Sequence, residues 1–180
     1  SNSCQNPKRT PLSPGVYPCP QLEKHGGIWV FDAETLNQTQ EDGRRYATGI
    51  RSIVGMDWNS DDESLYAVVH GRDDLYRLWP DRYTPWDSAV LPSEEFLKIE
   101  EGDNFGWPYC YYDQIQGKRV LSPEYGGDGK LVGDCPDFKP PVMGFPGHWA
   151  PNDLVFYQGD AFPDYYKNGA FIAFHGSTNR

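Results

Sequence analysis

VGMDWNSDDESLYAVV, residues 54 to 69, is the stretch on which the fold turns. Val54-Gly55-Met56-Asp57-Trp58 and Leu65-Tyr66-Ala67-Val68-Val69 are runs rich in aliphatic and aromatic side chains suited to a pleated surface. Between them stand Asn59-Ser60-Asp61-Asp62, whose short polar side chains bend the backbone by bonding to it. Strand, acidic turn and strand make a β-hairpin. Upstream, Gly27-Ile28-Trp29-Val30-Phe31-Asp32 and the run from Tyr46 to Ile50 predict two strands, separated by the polar run from Glu34 to Gly43. Downstream, Phe96 to Ile99, Leu154-Val155-Phe156-Tyr157 and Ala170 to Phe174 predict three more, and Pro163 to Lys167 a single helical turn. Short strands in series, joined by hairpins and long loops, imply an all-β protein: a sandwich, a barrel or a propeller. The region from Tyr111 to Trp149 is poor in strand signal, so it is either a functional loop or a place where elements are hidden.

Composition narrows the class. A chain of 180 residues is one ordinary domain with enough mass for a real core. Its 19 glycines and 16 prolines favour turns over long helices, and its 15% aromatic content suits strands and flat binding surfaces. A formal net charge of −10 argues against nucleic acid, which needs a basic surface. It fits a cation site or an uncharged ligand such as a sugar. No apolar run approaches the length of a membrane span. The four cysteines, Cys4, Cys19, Cys110 and Cys135, are widely spaced and lack a CxxC pair, which favours two disulfides over zinc. Three pairings are open; Cys4–Cys19 with Cys110–Cys135 closes the shortest loops. Asn37-Gln38-Thr39 is a glycosylation sequon in a polar turn, and with the cysteines it favours a secreted, extracellular protein. The start, SNSCQNPKRT, and an end just after a strand predict a piece of something longer.

Residues 94–113, EEFLKIEEGDNFGWPYCYYD, carry the most specific local signal. A short strand leads through a glycine-bounded turn into Gly106-Trp107-Pro108-Tyr109. Proline fixes its own φ and restricts Trp107, while Gly106 takes backbone angles other residues resist. The result is a rigid aromatic elbow, the kind of loop that carries function.

Five motifs in order then point to a family. Gly49-Ile50-Arg51 with Val54-Gly55-Met56-Asp57-Trp58-Asn59, Val69-His70-Gly71-Arg72-Asp73, Asp103-Asn104-Phe105-Gly106-Trp107-Pro108-Tyr109-Cys110, Phe145-Pro146-Gly147-His148-Trp149-Ala150-Pro151 and the closing HGSTNR resemble the soluble quinoprotein sugar dehydrogenases. These glucose/sorbosone dehydrogenase-like proteins use pyrroloquinoline quinone (PQQ), and the chain is most similar to their secreted fungal pyranose dehydrogenase branch. The resemblance implies a six-bladed β-propeller holding PQQ over its channel with calcium. The chain, residues 1–180, would be a middle part of about three blades, lacking N- and C-terminal ones.

The resemblance also implies roles. Arg51 would face the quinone, with Ser52 beside it where the family usually has asparagine. The main-chain carbonyls of Gly71 and Arg72 would bind the calcium beneath PQQ, leaving the Arg72 side chain nearly irrelevant. Glu95, the Phe105 carbonyl and Asp113 fall near positions that hold a second, structural calcium in bacterial relatives; a solvated acidic face is the alternative. Of His70, His148 and His175, none with a carboxylate neighbour in sequence, His148 is the best candidate to face the cofactor. Trp107, Tyr109 and Trp149 would line a sugar platform or pack between blades. Lys167 and Arg180 are candidate anion contacts. The family's general base, a histidine that takes the proton from the sugar's anomeric hydroxyl, lies upstream of the matched region, so no catalytic residue is expected here. The basic residues that grip the PQQ carboxylates lie downstream.

The reading that follows is a PQQ- and calcium-dependent oxidoreductase oxidising aldoses or related pyranoses by hydride transfer. Electrons would pass to an external acceptor such as a haem domain. Two alternatives are a secreted, non-catalytic propeller binding module, towards which Ser52 and Thr178 lean, and a truncated, inactive homologue.

Overall fold

A computed structural model describes residues 3–177. In chain order its strands begin with β1 (Gly27–Val30), β2 (Arg44–Thr48), β3 (Ile53–Asn59) and β4 (Ser64–Val69). Two short helices, α1 (Leu75–Leu78) and α2 (Pro85–Val90), precede β5 (Glu94–Ile99), β6 (Cys110–Asp113) and β7 (Lys118–Leu121). The last strands are β8 (Met143–Phe145), β9 (Pro151–Phe156) and β10 (Ala170–Phe174). The molecule is thus mostly β with little helix, as the sequence leads one to expect.

The expected hairpin is β3–β4, with Trp58 opposite Leu65 and Asp57 opposite Tyr66. It is the start of a four-stranded antiparallel meander in the order β3-β4-β5-β8. The hairpins β1–β2 and β9–β10 flank this meander. The run Leu65 to Val69 explains the stacking. Ala67 and Val69 enter a core with Ile28, Ala47, Leu97 and Phe105, whereas Val68 faces a second core with Leu154 and Phe156. Successive side chains of a strand point to opposite faces, so an almost continuous apolar run marks a strand buried on both. β9 is fastened to β3 through the Phe156 N–H, which donates to the Asp57 carboxylate at 2.7 Å.

The stretch from 111 to 149, poor in strand signal, hides elements. It holds the β6–β7 hairpin and β8, the outer strand of the meander. These strands have three or four residues each, too few for alternation to stand out. Tyr111 and Val120 are buried against Leu75, Leu78, Trp79, Tyr83 and Leu91 in a third core. The helices were also unforeseen. α2 nonetheless starts with a capping box: Thr84 Oγ1 accepts from the Asp87 N–H at 3.1 Å, and Asp87 Oδ2 accepts from the Thr84 N–H at 2.8 Å. The helical turn expected at 163–167 is the 3-10 turn Asp164–Tyr166.

Disulfides join Cys4 to Cys19 and Cys110 to Cys135. Among the described residues no helix is long and apolar enough to cross a membrane.

Candidate functional site

Three main-chain hydrogen bonds dock the Trp107 elbow on the end of β2. Thr48 N–H donates to the Asp103 carbonyl (2.9 Å), Phe105 N–H to the Thr48 carbonyl (3.1 Å) and Trp107 N–H to the Gly49 carbonyl (2.9 Å). So close an approach needs Gly49: at φ +70°, a Cβ there would lie 2.2 Å from Asn104 Oδ1 and 2.5 Å from the Gly106 nitrogen. Gly106 itself has φ +86°. Because Arg51 follows two residues after Gly49, the docking sets its guanidinium carbon 5.8 Å from the Trp107 ring centroid, within cation–π range.

Arg51 Nη1 donates to the Gly71 carbonyl and, at 3.3 Å, to that of His70. Nη2 lies 3.6 Å from Asp73 Oδ2. Nε is buried, and no partner exists for it among the described residues. Burial pushes the Arg51 pKa below its ordinary value, and Asp73 pulls it back up; a guanidinium stays charged throughout.

Sequence reasoning missed Glu94, the residue that ties this corner together. Its side chain is buried and accepts the Gly71 N–H (3.0 Å) on one oxygen and the His148 N–H (2.8 Å) on the other. Burial pushes its pKa up, and the Gly71 N–H, His70 and the His148 N–H oppose that rise. His148, at φ +64°, turns its ring inward. Nε2 sits 2.8 Å from the Ser88 carbonyl and Nδ1 3.5 Å from Asp73 Oδ1. Asp73 therefore stands between Arg51 and His148, supplying the carboxylate that no sequence neighbour of His148 provides. His70 Nε2 lies 2.8 Å from the Pro151 carbonyl, and its N–H donates to the Ser52 carbonyl at 3.0 Å.

Arg51, Ser52, Gly71, Trp107 and His148 are thus brought to one corner, with Asp73 and Glu94 as unpredicted members. Two hollows share Arg51 and Trp107 as walls, with free volumes of about 20 and 80 Å³. Both are well below the roughly 300 Å³ of a pocket that encloses a drug-sized ligand. Chemically the corner offers a fixed cation with an unused N–H, a main-chain oxygen of the kind calcium prefers, and a flat indole. Those features fit a planar anionic cofactor such as PQQ with its calcium.

Arg72, Glu95 and Phe105 also line the smaller hollow, each with contacts of its own. The Arg72 side chain is far from irrelevant: it is buried and forked onto Glu124 at 2.5 and 2.6 Å, with Trp79 Nε1 on the same carboxylate at 3.2 Å. Two side chains of the second calcium set already have partners. Glu95 is engaged by Arg119, and Asp113 spends its oxygens on the N–H groups of Ile115 and Gln116 and on the Gln116 side chain. The ring of Phe105, whose carbonyl is the third expected group, packs in the core. Among the described residues no group of three or more His, Cys, Asp or Glu side chains is placed to hold a metal ion. Nor do the three rings form one platform. The Tyr109 hydroxyl accepts from the Cys19 N–H at 2.9 Å, and its ring meets Tyr17 and Tyr125 edge-on. Trp149 packs with Phe145 and Phe174. Lys167 pairs with Asp160 and Asp164. His175 Nδ1 lies 2.9 Å from the Gly176 carbonyl. Asn37 is exposed at φ +60° in the β1–β2 loop. Arg180 and Thr178 lie outside the described residues.

Comparison with known proteins identifies the family. Residues 21–180 match the TrAA12-like family. The chain belongs to that family. The calcium structure of a Trichoderma reesei carbohydrate-active enzyme of family AA12 is 25% identical, with a TM-score of 0.67, over 89% of this chain and 44% of that one. The holo form of the pyranose dehydrogenase PQQ domain from Coprinopsis cinerea is 22% identical, with a TM-score of 0.66, over 89% of this chain and 42% of that one, and shares its fold. An uncharacterised protein from Borreliella burgdorferi is 32% identical over 134 residues, 74% of this chain and 30% of its own length. The TrAA12-like chain therefore spans less than half the length of these relatives. The likeness to quinoprotein sugar dehydrogenases read from its motifs holds at the level of family.

Proposed function

We propose that this chain supplies about three blades of a six-bladed propeller, residues 1–180, in a PQQ- and calcium-dependent oxidoreductase acting on aldoses or related pyranoses. The observation that carries the reading is the convergence of the Arg51 guanidinium, its Nε–H unused, with the Gly71 carbonyl and the Trp107 ring. Bound there, PQQ would supply a two-electron sink for a hydride leaving the sugar carbon. Arg51 would hold the anionic edge of the cofactor by charge-assisted hydrogen bonds and favour its more anionic reduced form. The carbonyls of Gly71 and Arg72 would present hard oxygens to calcium. Trp107 would cover one face and exclude water. Glu94 and Asp73 fix the turns bearing Gly71 and His148 and so hold this wall in shape. No residue of the corner serves as general base in the proposal; that histidine belongs to a segment upstream, and electrons leave to an outside acceptor such as a haem domain. Two disulfides and an exposed sequon at Asn37 support a secreted, glycosylated protein.

The test is bound-quinone absorbance and dye reduction with aldoses, after PQQ and calcium are added to the chain and to the longer polypeptide the proposal requires. We expect turnover only in the longer form. A longer form that folds yet takes up no PQQ would leave the non-catalytic binding module as the correct reading.

A further inference from the structure

A closely held charge outside the Arg51 corner is Arg119. Its side chain is 3% exposed. It stands on β7 directly opposite Tyr112 on β6, and its guanidinium carbon lies 5.8 Å from the Tyr112 ring centroid and 6.0 Å from that of Phe105. Nη2 and Nη1 donate to the two oxygens of Glu95 at 2.6 and 3.3 Å. Nε donates to the Lys139 carbonyl at 2.9 Å. One planar cation thus joins β5, the β6–β7 hairpin, the segment after the Cys135–Asp137 turn, and the ring that precedes the Trp107 elbow. This is where the sequence pointed to a second calcium. Both carboxylates a metal would use are taken: Glu95 faces the guanidinium, and Asp113 is closed into its own turn.

We propose that Arg119 is a built-in cation occupying the place of a second, structural calcium, so that the base of the elbow is held without metal at this position. A guanidinium suits the task because its fork matches a carboxylate and its flat faces accept aromatic neighbours, which an ammonium does not reproduce. The inference concerns this chain's own ion pair and stands with or without a quinone.

The test is thermal unfolding and calorimetric titration of the chain, without PQQ, in a calcium chelator and in calcium chloride. At about 10 mM, calcium exceeds the dissociation constants of weak extracellular-type sites, and occupancy of a genuine site raises the midpoint by several degrees. We expect any response of the midpoint to calcium to be the same in the unaltered protein and in Glu95→Gln. Arg119→Gln should lower the midpoint by several degrees, with Arg119→Lys recovering only part. A calcium-induced rise in the unaltered protein that Glu95→Gln abolishes would overturn the proposal, as would an Arg119→Gln midpoint equal to that of the unaltered protein. Should Arg119→Gln not fold, the unaltered protein and Glu95→Gln still decide the matter. With quinone absent throughout, failure here is distinguishable from failure of the PQQ reading.

Discussion

Glu94 holds two turns with one carboxylate, each oxygen accepting a main-chain N–H. Glu94→Gln keeps the shape but turns an amide NH2 towards one of those donors. Leaving a buried N–H unpaired costs about 1–3 kcal/mol, which urea unfolding would register. Its raised pKa gives a pH signature. A carboxyl whose folded value exceeds the unfolded one contributes stability present at low pH and lost as pH rises through the folded value. The stability of the unaltered protein relative to Glu94→Gln should therefore be greatest near pH 4 and decline towards neutrality. Arg72–Glu124 makes a second case, since Glu124→Gln would strand a buried guanidinium at a cost of about 3–5 kcal/mol. Arg51, Gly71 and Trp107 were legible because contiguous motifs carry them. Glu94 and Asp73 were not, because their partners arrive from turns remote in the chain, and the Arg72 side chain drew attention only through its carbonyl.

Among the elements, the β3–β4 hairpin was legible because both its strands are long enough for composition and an acidic turn to agree. The β6–β7 hairpin escaped because its four-residue strands pack on helices rather than on a neighbouring sheet. α2 was readable in principle from Thr84-Pro85-Trp86-Asp87, a capping box with proline at the first position. Thr84→Ala should cost about 1 kcal/mol, seen as a lower midpoint. The elbow depends on Gly106, where φ is +86° and a Cβ would come 2.6 Å from the Phe138 ring. Gly106→Ala should destabilise by about 1–3 kcal/mol and shift the emission of Trp107, whereas an unaltered spectrum and midpoint would mean the turn tolerates a side chain.

For the molecule as a whole, a series of short strands was legible, but their order, hairpin, meander, hairpin, was not, because no literal repeat announces it. Which corner the strands converge on was not either, since that depends on three long-range main-chain bonds between β2 and the elbow. The Cys110–Cys135 disulfide, with a sequence separation of 25, encloses the β6–β7 hairpin. Replacing both cysteines with alanine should cost about 3 kcal/mol by the chain-entropy account, measurable as a fall in urea midpoint. The central claim is that the Arg51 corner is a wall of a quinone site. Titrating PQQ with calcium into the longer polypeptide the proposal requires, followed by tryptophan emission, tests it most directly. The account predicts saturable quenching, with affinity lowered at least about tenfold by Arg51→Gln, as loss of a charge-assisted hydrogen bond requires; equal affinity in the two proteins, or no binding by either, would contradict it.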